Sequence, residues 1–213
     1  MRRSRVIIAD DHPLIIDALR TLLENEFEIV GTFSEGQSLV DAAPKLNPDV
    51  IVLDIGMPTM NGLSAGERIK NMMPRVKLVY LSQNHDQDIA REAFRLGASA
   101  YVLKSSGASE LISSIREAVR GGFHITPLLT QGIAGSAIQN FKQAKKRKND
   151  LTLRQREVLQ LLAEGHSMKG AAFILNVSPR TVAYHKYTMM DHLSIRSSAE
   201  LIEYAMKRSL VSV

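Results

Sequence analysis

A chain of 213 residues is comfortable for two small domains. Its 45% hydrophobic and 23% charged content is that of a globular protein, which argues against disorder. Cysteine is absent, so disulfide staples and thiolate metal sites are excluded, and a reducing cytosol fits. The basic start Met1-Arg2-Arg3-Ser4-Arg5 is followed by too short an apolar run for a signal-peptide core, and no stretch approaches membrane-spanning length. A cytoplasmic protein with no membrane partner is expected. The net charge of +5 is uneven. Residues 1–124 carry 14 Lys+Arg against 16 Asp+Glu, residues 125–150 carry 5 against 1, and residues 151–213 carry 8 against 5. The basic excess of the last third points to a polyanion partner there.

Along the chain, Val6-Ile7-Ile8-Ala9 is a short apolar run ending in Asp10-Asp11. Pro13 suits a first helical position, and Leu14, Ile15, Ala18, Leu19, Leu22 and Leu23 recur at helical spacing. Residues 27–33 read as a second strand, and residues 35–43 as a short helix stopped by Pro44. Ile51-Val52-Leu53 is wholly apolar and runs into Asp54, as a strand buried on both faces does. A Pro/Gly-rich loop and a helix over residues 63–72 follow. Residues 76–81 form a fourth strand ending at Ser82, residues 86–96 a helix, and residues 98–103 a fifth strand ending at Lys104. Leu111, Ile112, Ile115, Ala118 and Val119 mark a last helix closed by Gly121-Gly122. Five alternations of strand and helix predict an α/β domain over residues 1–122, a doubly wound five-stranded parallel sheet.

Residues 123–150 read as a linker, partly helical and basic towards its end. From Leu151 the strand signal stops and an all-α unit of four helices is predicted over residues 151–213. Thr152 and Gln155 form a capping box, Ser167 caps a second helix, Ser178-Pro179 opens a third, and Ser197 or Ser198 a fourth. Two short helices joined by a tight turn suggest a helix-turn-helix.

Polar residues thus stand at four C-terminal strand ends, where open α/β sheets bind ligands: Asp10-Asp11, Asp54, Ser82 and Lys104. Crowded carboxylates suit Mg²⁺. Asp54 has the chemistry of a nucleophile towards phosphorus, Ser82 that of a hydrogen-bond donor and Lys104 that of a compact cation for phosphoryl oxygens. His12 and His85 read as loop histidines, since Mg²⁺ prefers oxygen.

Asp10-Asp11, Val52-Leu53-Asp54, Met57-Pro58, Gly62, Ser82 and Tyr101-Val102-Leu103-Lys104 resemble the receiver domain of bacterial two-component response regulators, over about residues 5–121. The resemblance implies the CheY-like, flavodoxin-like sheet order and Asp54 as phosphoacceptor. It also implies a metal site of Asp10, Asp11, Asp54 and Gly56, and a switch in which Ser82 moves towards the phosphate while Tyr101 swings inward. Gln83 stands where such domains often keep a small residue, and would either obstruct the site or bond the phosphate.

The second half resembles the helix-turn-helix of the LuxR/NarL/FixJ group through Leu151-Thr152, Gln155-Arg156-Glu157-Val158-Leu159, Ala163-Glu164-Gly165, Ala172, Val177-Ser178, Thr181-Val182, His185 and Leu193. On the helix opening at Pro179, helical spacing places Val182, His185, Met189 and Leu193 inside, and Arg180, Ala183, Tyr184, Tyr187 and Asp191 outside. Arg180, Ala183, Tyr184 and Tyr187 would enter the major groove, with Thr181, Lys186 and Arg180 serving phosphate. The last helix, through Ile202, Ala205 and Met206, is where the resemblance places a dimer contact.

The expected function is a DNA-binding response regulator controlled by a sensor histidine kinase and acting as a homodimer on paired half-sites, not an enzyme. An aspartyl-phosphate phosphohydrolase would need an acid two residues after the nucleophile, where Gly56 stands. A flavodoxin-type cofactor binder would need a Gly-rich phosphate loop after the first strand. A regulator whose receiver serves only dimerisation is the remaining alternative.

Overall fold

A computed structural model describes residues 2–130 and 151–208. Of the expected basic, partly helical linker of residues 123–150, residues 131–150 lie outside the described residues, as do residues 209–213. The first half is a six-stranded sheet in the order β2-β1-β3-β4-β5-β6, every pairing parallel. Its strands are β1 (Arg5–Ala9), β2 (Glu28–Phe33), β3 (Val50–Asp54), β4 (Lys77–Ser82), β5 (Ala100–Leu103) and β6 (His124–Ile125). Helices α1 (Pro13–Leu23), α2 (Gly36–Leu46), α3 (Gly62–Met72), α4 (Gln87–Arg95) and α5 (Ala108–Val119) connect them.

Side chains on a strand alternate between faces, and the central strands are apolar on both. Ile7, Ile51, Leu53, Leu78, Tyr80 and Tyr101 point to one face, where Leu39, Ile69 and Ala93 of α2, α3 and α4 cover them. Val6, Ile8, Val50, Val52, Val79 and Val102 point to the other, under Leu19, Leu23, Leu111 and Ile115 of α1 and α5. Two apolar layers around one sheet hold every central strand in register, which positions the strand ends.

Two expectations are corrected here. Helix α2 does not stop at Pro44 but runs to Leu46 and closes on left-handed Asn47. Proline removes one backbone donor, and so near the helix end that costs a single hydrogen bond, while Leu39, Val40 and Ala43 stay buried. The sheet has a sixth strand, so the presumed linker begins later than residue 123. After Gly121 (φ 86°), His124–Ile125 pairs with Ala100–Tyr101, and Pro127–Leu129 forms a 3-10 turn. Ile125 and Leu129 join the core, and Phe123 tilts against Phe94 at 6.5 Å between ring centroids. Thr126, 1% exposed, fastens this segment. Its Oγ1 accepts from Leu103 N at 3.1 Å and donates to Glu110 Oε1 at 2.7 Å, and His124 Nε2 lies 3.0 Å from the same carboxylate oxygen. A two-residue strand is too short to show periodicity.

The second half folds as α6 (Leu153–Ala163), α7 (Met168–Ile174), α8 (Pro179–His192) and α9 (Ser198–Lys207). Thr152 and Gln155 make the reciprocal capping box, and Ser167, Ser178 and Ser197 each accept from a first-turn amide. Leu159, Leu161, Ala172, Val182, Met189 and Leu201 close a separate apolar core. Helix α6 has a second buried side, turned to α3 of the sheet domain. There Arg156 (4% exposed) donates to Glu92 Oε1 at 2.8 Å and to Glu67, and Glu157 (2% exposed) accepts from Arg68 and, at 2.9 Å, from Arg154. Among the described residues no helix is long and apolar enough to cross a membrane.

Thr126→Val keeps the shape but strands the buried Leu103 amide and removes one of the bonds to Glu110 Oε1, which keeps His124. A loss of about 1–3 kcal/mol is expected. It is measured as a lower urea midpoint with an unchanged slope.

Candidate functional site

The register of the sheet assembles a carboxylate cluster. Ala9 pairs with Leu53, so Asp10 and Asp54, each next to that pair, end neighbouring strands side by side. Ser82 pairs with Leu103, and this brings Lys104 to the same edge. Lys104 Nζ lies 2.7 Å from Asp10 Oδ2 and 3.1 Å from Asp54 Oδ1. One ligand atom each from Asp10, Asp11, His12 and Asp54 lies within 4.8 Å of the others. His12 Nδ1 lies 3.0 Å from Asp10 Oδ1 and 2.9 Å from Asp11 Oδ1, a contact with the acids that its reading as a loop histidine did not foresee.

The cluster is electrostatically unbalanced. Asp10 is fully buried and Asp54 is 4% exposed. Burial pushes the Asp54 carboxyl above the ordinary range, and neighbouring Asp10 adds to this, while Lys104 and the Gly56 backbone N–H oppose it. Burial works against the Lys104 ammonium, yet Asp54 and Asp10 outweigh it and hold its pKa above the usual lysine value. Two of the three carboxylates, Asp10 and Asp54, share one ammonium, and His12 meets Asp10 and Asp11. That donor set, all oxygen apart from the histidine, fits a hard divalent cation with oxygen ligands.

The loop after Asp54 reaches the site by close backbone approach. Gly62 N donates to Ile55 O at 2.9 Å, and a Cβ on Gly62 would stand 2.0 Å from the Asp54 carbonyl oxygen. Only glycine fits there. Ser82 is 2% exposed, and its Oγ accepts from Asn84 N at 3.0 Å. Gln83 is an exposed side chain and not a plug in the site. Tyr101 is fully buried in the core, an inward position, and its hydroxyl donates to Asn84 O at 3.2 Å. Beside it, Thr126 N donates to Tyr101 O as β6 pairs with β5.

On α8, Val182 and Met189 are buried, His185 and Leu193 are half-buried, and Arg180, Tyr184, Tyr187 and Asp191 are exposed, with Ala183 half-buried. Tyr184 is 67% and Tyr187 59% exposed, more than packing alone accounts for. Thr181 Oγ1 lies 2.8 Å from Ser178 Oγ, and Lys186 Nζ donates to Ser198 Oγ at 2.8 Å. The proposed dimer face on α9 is only partly available. Ala205 is buried in the core, Ile202 is half-buried and Met206 is 45% exposed. The end of α9 also meets its own sheet domain, where Asn84 Nδ2 donates to Lys207 O at 3.4 Å and Arg208 approaches Asp88.

The raised Asp54 carboxyl has a stability consequence. The fold binds that proton more tightly than the unfolded chain, so stability falls as pH rises through the ordinary aspartate range, and the loss persists at neutral pH. Asp54→Asn removes it and leaves Lys104 paired with Asp10. In EDTA at neutral pH the variant is expected to unfold at higher denaturant than the wild type. The difference should vanish below the ordinary aspartate range and shrink when Mg²⁺ is added.

Two family models match: the response regulator receiver domain over residues 6–116, and the luxR family of bacterial regulatory proteins over residues 149–205. The chain is 32% identical to the oxygen regulatory protein NreC of Staphylococcus carnosus, over 97% of this chain and 99% of that one. It is 31% identical to the transcriptional regulatory protein DegU of Brevibacillus brevis, over 99% and 96%. A structure of RcsB from Salmonella typhimurium superimposes with TM-score 0.70 at 25% identity, covering 98% of this chain and 99% of that one. RcsB of Salmonella enterica serovar Typhimurium bound to promoter rprA with the phosphomimetic BeF3⁻ gives 0.68 at 25%, over 95% and 98%. The chain belongs to the DNA-binding two-component response regulators of the NarL/FixJ group, which join a receiver domain to a LuxR-type helix-turn-helix.

Proposed function

We propose that Asp54 is the phosphoacceptor through which a sensor histidine kinase controls promoter binding by α8. The observation that carries this reading is the placement of Asp54 at the end of β3, beside Asp10 and within 3.1 Å of the Lys104 ammonium. An Asp54 carboxylate oxygen attacks the phosphorus of a phosphohistidine. The new O–P bond forms as the N–P bond breaks, and the imidazole leaves with its electron pair. Mg²⁺ held by Asp10, Asp11, Asp54 and the Gly56 backbone would neutralise charge on the transferring oxygens. Lys104 stabilises a further phosphoryl oxygen, and Ser82 turns from Asn84 N to donate to it. Because Ser82 and Tyr101 both bond to Asn84, a change at Ser82 is passed to the β4–α4 loop, which also meets the end of α9.

In the second domain the exposed face of α8 supplies base contacts from Arg180, Ala183, Tyr184 and Tyr187 in the major groove. Thr181 and Lys186 exchange their present partners, Ser178 and Ser198, for phosphate. Two such helices on paired half-sites require a homodimer. A cytoplasmic location follows from the kinase and DNA partners. Chemistry here is confined to receiving and losing one phosphoryl group.

Incubation with a small phosphodonor and Mg²⁺ is expected to add one phosphoryl mass to the chain and none in EDTA. Asp54→Asn should gain none, and labelling of that variant would refute the assignment.

For DNA, Tyr184→Ala is expected to weaken the cognate duplex by about 1–3 kcal/mol and barely affect random duplex. Asp191→Lys should tighten both and steepen the salt dependence by about one to two ion equivalents, because that exposed carboxylate faces backbone phosphate. Titrations at several salt concentrations separate the two effects.

A further inference from the structure

The loop between β3 and α3 follows the phosphoacceptor directly, and its backbone is not held by the receiver alone. Thr59 has φ 64°, a left-handed conformation that is uncommon for a β-branched residue and that surrounding structure must hold in place. The groups that hold it come from α6 of the DNA-binding domain. Gln160 is fully buried. Its Nε2 donates to Met57 O at 2.9 Å, and its Oε1 accepts from Asn61 N at 2.8 Å. Glu164 Oε1 accepts from Thr59 N at 2.9 Å, and Gln160 Nε2 also donates to that carboxylate oxygen at 2.8 Å. Two side chains, a turn apart on one helix and bonded to each other, thus satisfy three backbone groups of one loop.

The same loop carries Gly56, whose N–H bonds to Asp54, and Gly62, packed against the Asp54 carbonyl. Its shape therefore sets where the Gly56 backbone stands relative to the carboxylates. Met57 O and Asn61 N thus take a hydrogen-bond partner from across the domain boundary, and that partner is fully buried.

We propose that Gln160 and Glu164 are positioning residues for the phosphoacceptor site: the DNA-binding domain braces the loop in the shape that binds Mg²⁺. The brace works in both directions, since whatever α6 contributes to Mg²⁺ affinity, Mg²⁺ contributes equally to the docking of α6. Helix α8 takes no part, and its exposed tyrosines stay open while α6 is docked. The proposal rests on reading the acid cluster as the Mg²⁺ site.

The test uses the full chain, with Mg²⁺ as the probe, in wild type, Gln160→Ala and Glu164→Ala. Mg²⁺ affinity is measured by calorimetric titration, and amide exchange is followed over residues 57–61. Losing both loop hydrogen bonds of Gln160, and its bond to Glu164, is expected to weaken Mg²⁺ by about 5- to 10-fold in Gln160→Ala. Exchange should rise in the 57–61 segment while the β1 and β3 amides keep their protection. Glu164→Ala, at a half-buried position, should show a smaller change of the same kind, and it decides the matter if Gln160→Ala does not fold. A merely structural role would lower the melting temperature and leave the Mg²⁺ constant unmoved. Equal Mg²⁺ affinity and equal exchange in wild type and the folded variants would overturn the brace. Absence of Mg²⁺ binding by the wild type would instead overturn the metal reading and the proposal that rests on it.

Discussion

The parallel register of β1 against β3 is the constraint on which the rest of this structure depends. Ala9 is paired with Leu53, so the carboxylates of Asp10 and Asp54 emerge side by side in a place that burial has stripped of water. Like charges in low dielectric repel strongly, and the fold offsets this with one ammonium, Lys104, delivered by the register of β5 on β4. The balance is incomplete, which is why the Asp54 carboxyl sits above its ordinary range. A site left short of positive charge favours a divalent cation and then a phosphoryl group that brings its own oxygens to Lys104. The raised Asp54 carboxyl and the chemistry proposed for the cluster have the same origin.

Around that cluster the two domains are more entangled than separate cores suggest. Helix α6 closes its own helical core with Val158, Leu159 and Leu161, and turns Arg156, Glu157 and Gln160, all buried, to the receiver. Buried polar groups are costly unless bonded, so this face is specific in a way an apolar face is not. Arg156 meets Glu67 and Glu92, Glu157 meets Arg68, and Gln160 meets the loop after Asp54. The end of α9 touches Asn84, the residue on which Ser82 and Tyr101 converge. Each domain thereby contacts the other at the two loops that border the acid cluster.

Local pattern was enough for much of this. Apolar runs ending in Asp10, Asp54, Ser82 and Lys104 announce strand ends, because a strand buried on both faces has nowhere polar to go until it leaves the sheet. Ser178-Pro179 and Thr152 with Gln155 announce helix starts for reasons of backbone hydrogen bonding confined to one turn. Where the pattern was short, it failed. Pro44 lay too near the end of α2 to stop it, and His124–Ile125 carried no period from which a sixth strand could be read.

The sequence by itself determined the alternation of strands and helices, the identity of the acids and the lysine, and which side of α8 is polar. Each follows from spacing along a single segment. Only the tertiary structure decided that β6 extends the sheet beside Tyr101, that Ala205 is buried in the core, and that His12 touches the acids. It alone decided that Gln160, an ordinary polar residue on an amphipathic helix, is buried against a loop a hundred residues away. A polar residue at a given helical position reads as solvated, because a single segment carries no information about which surface comes to lie against it.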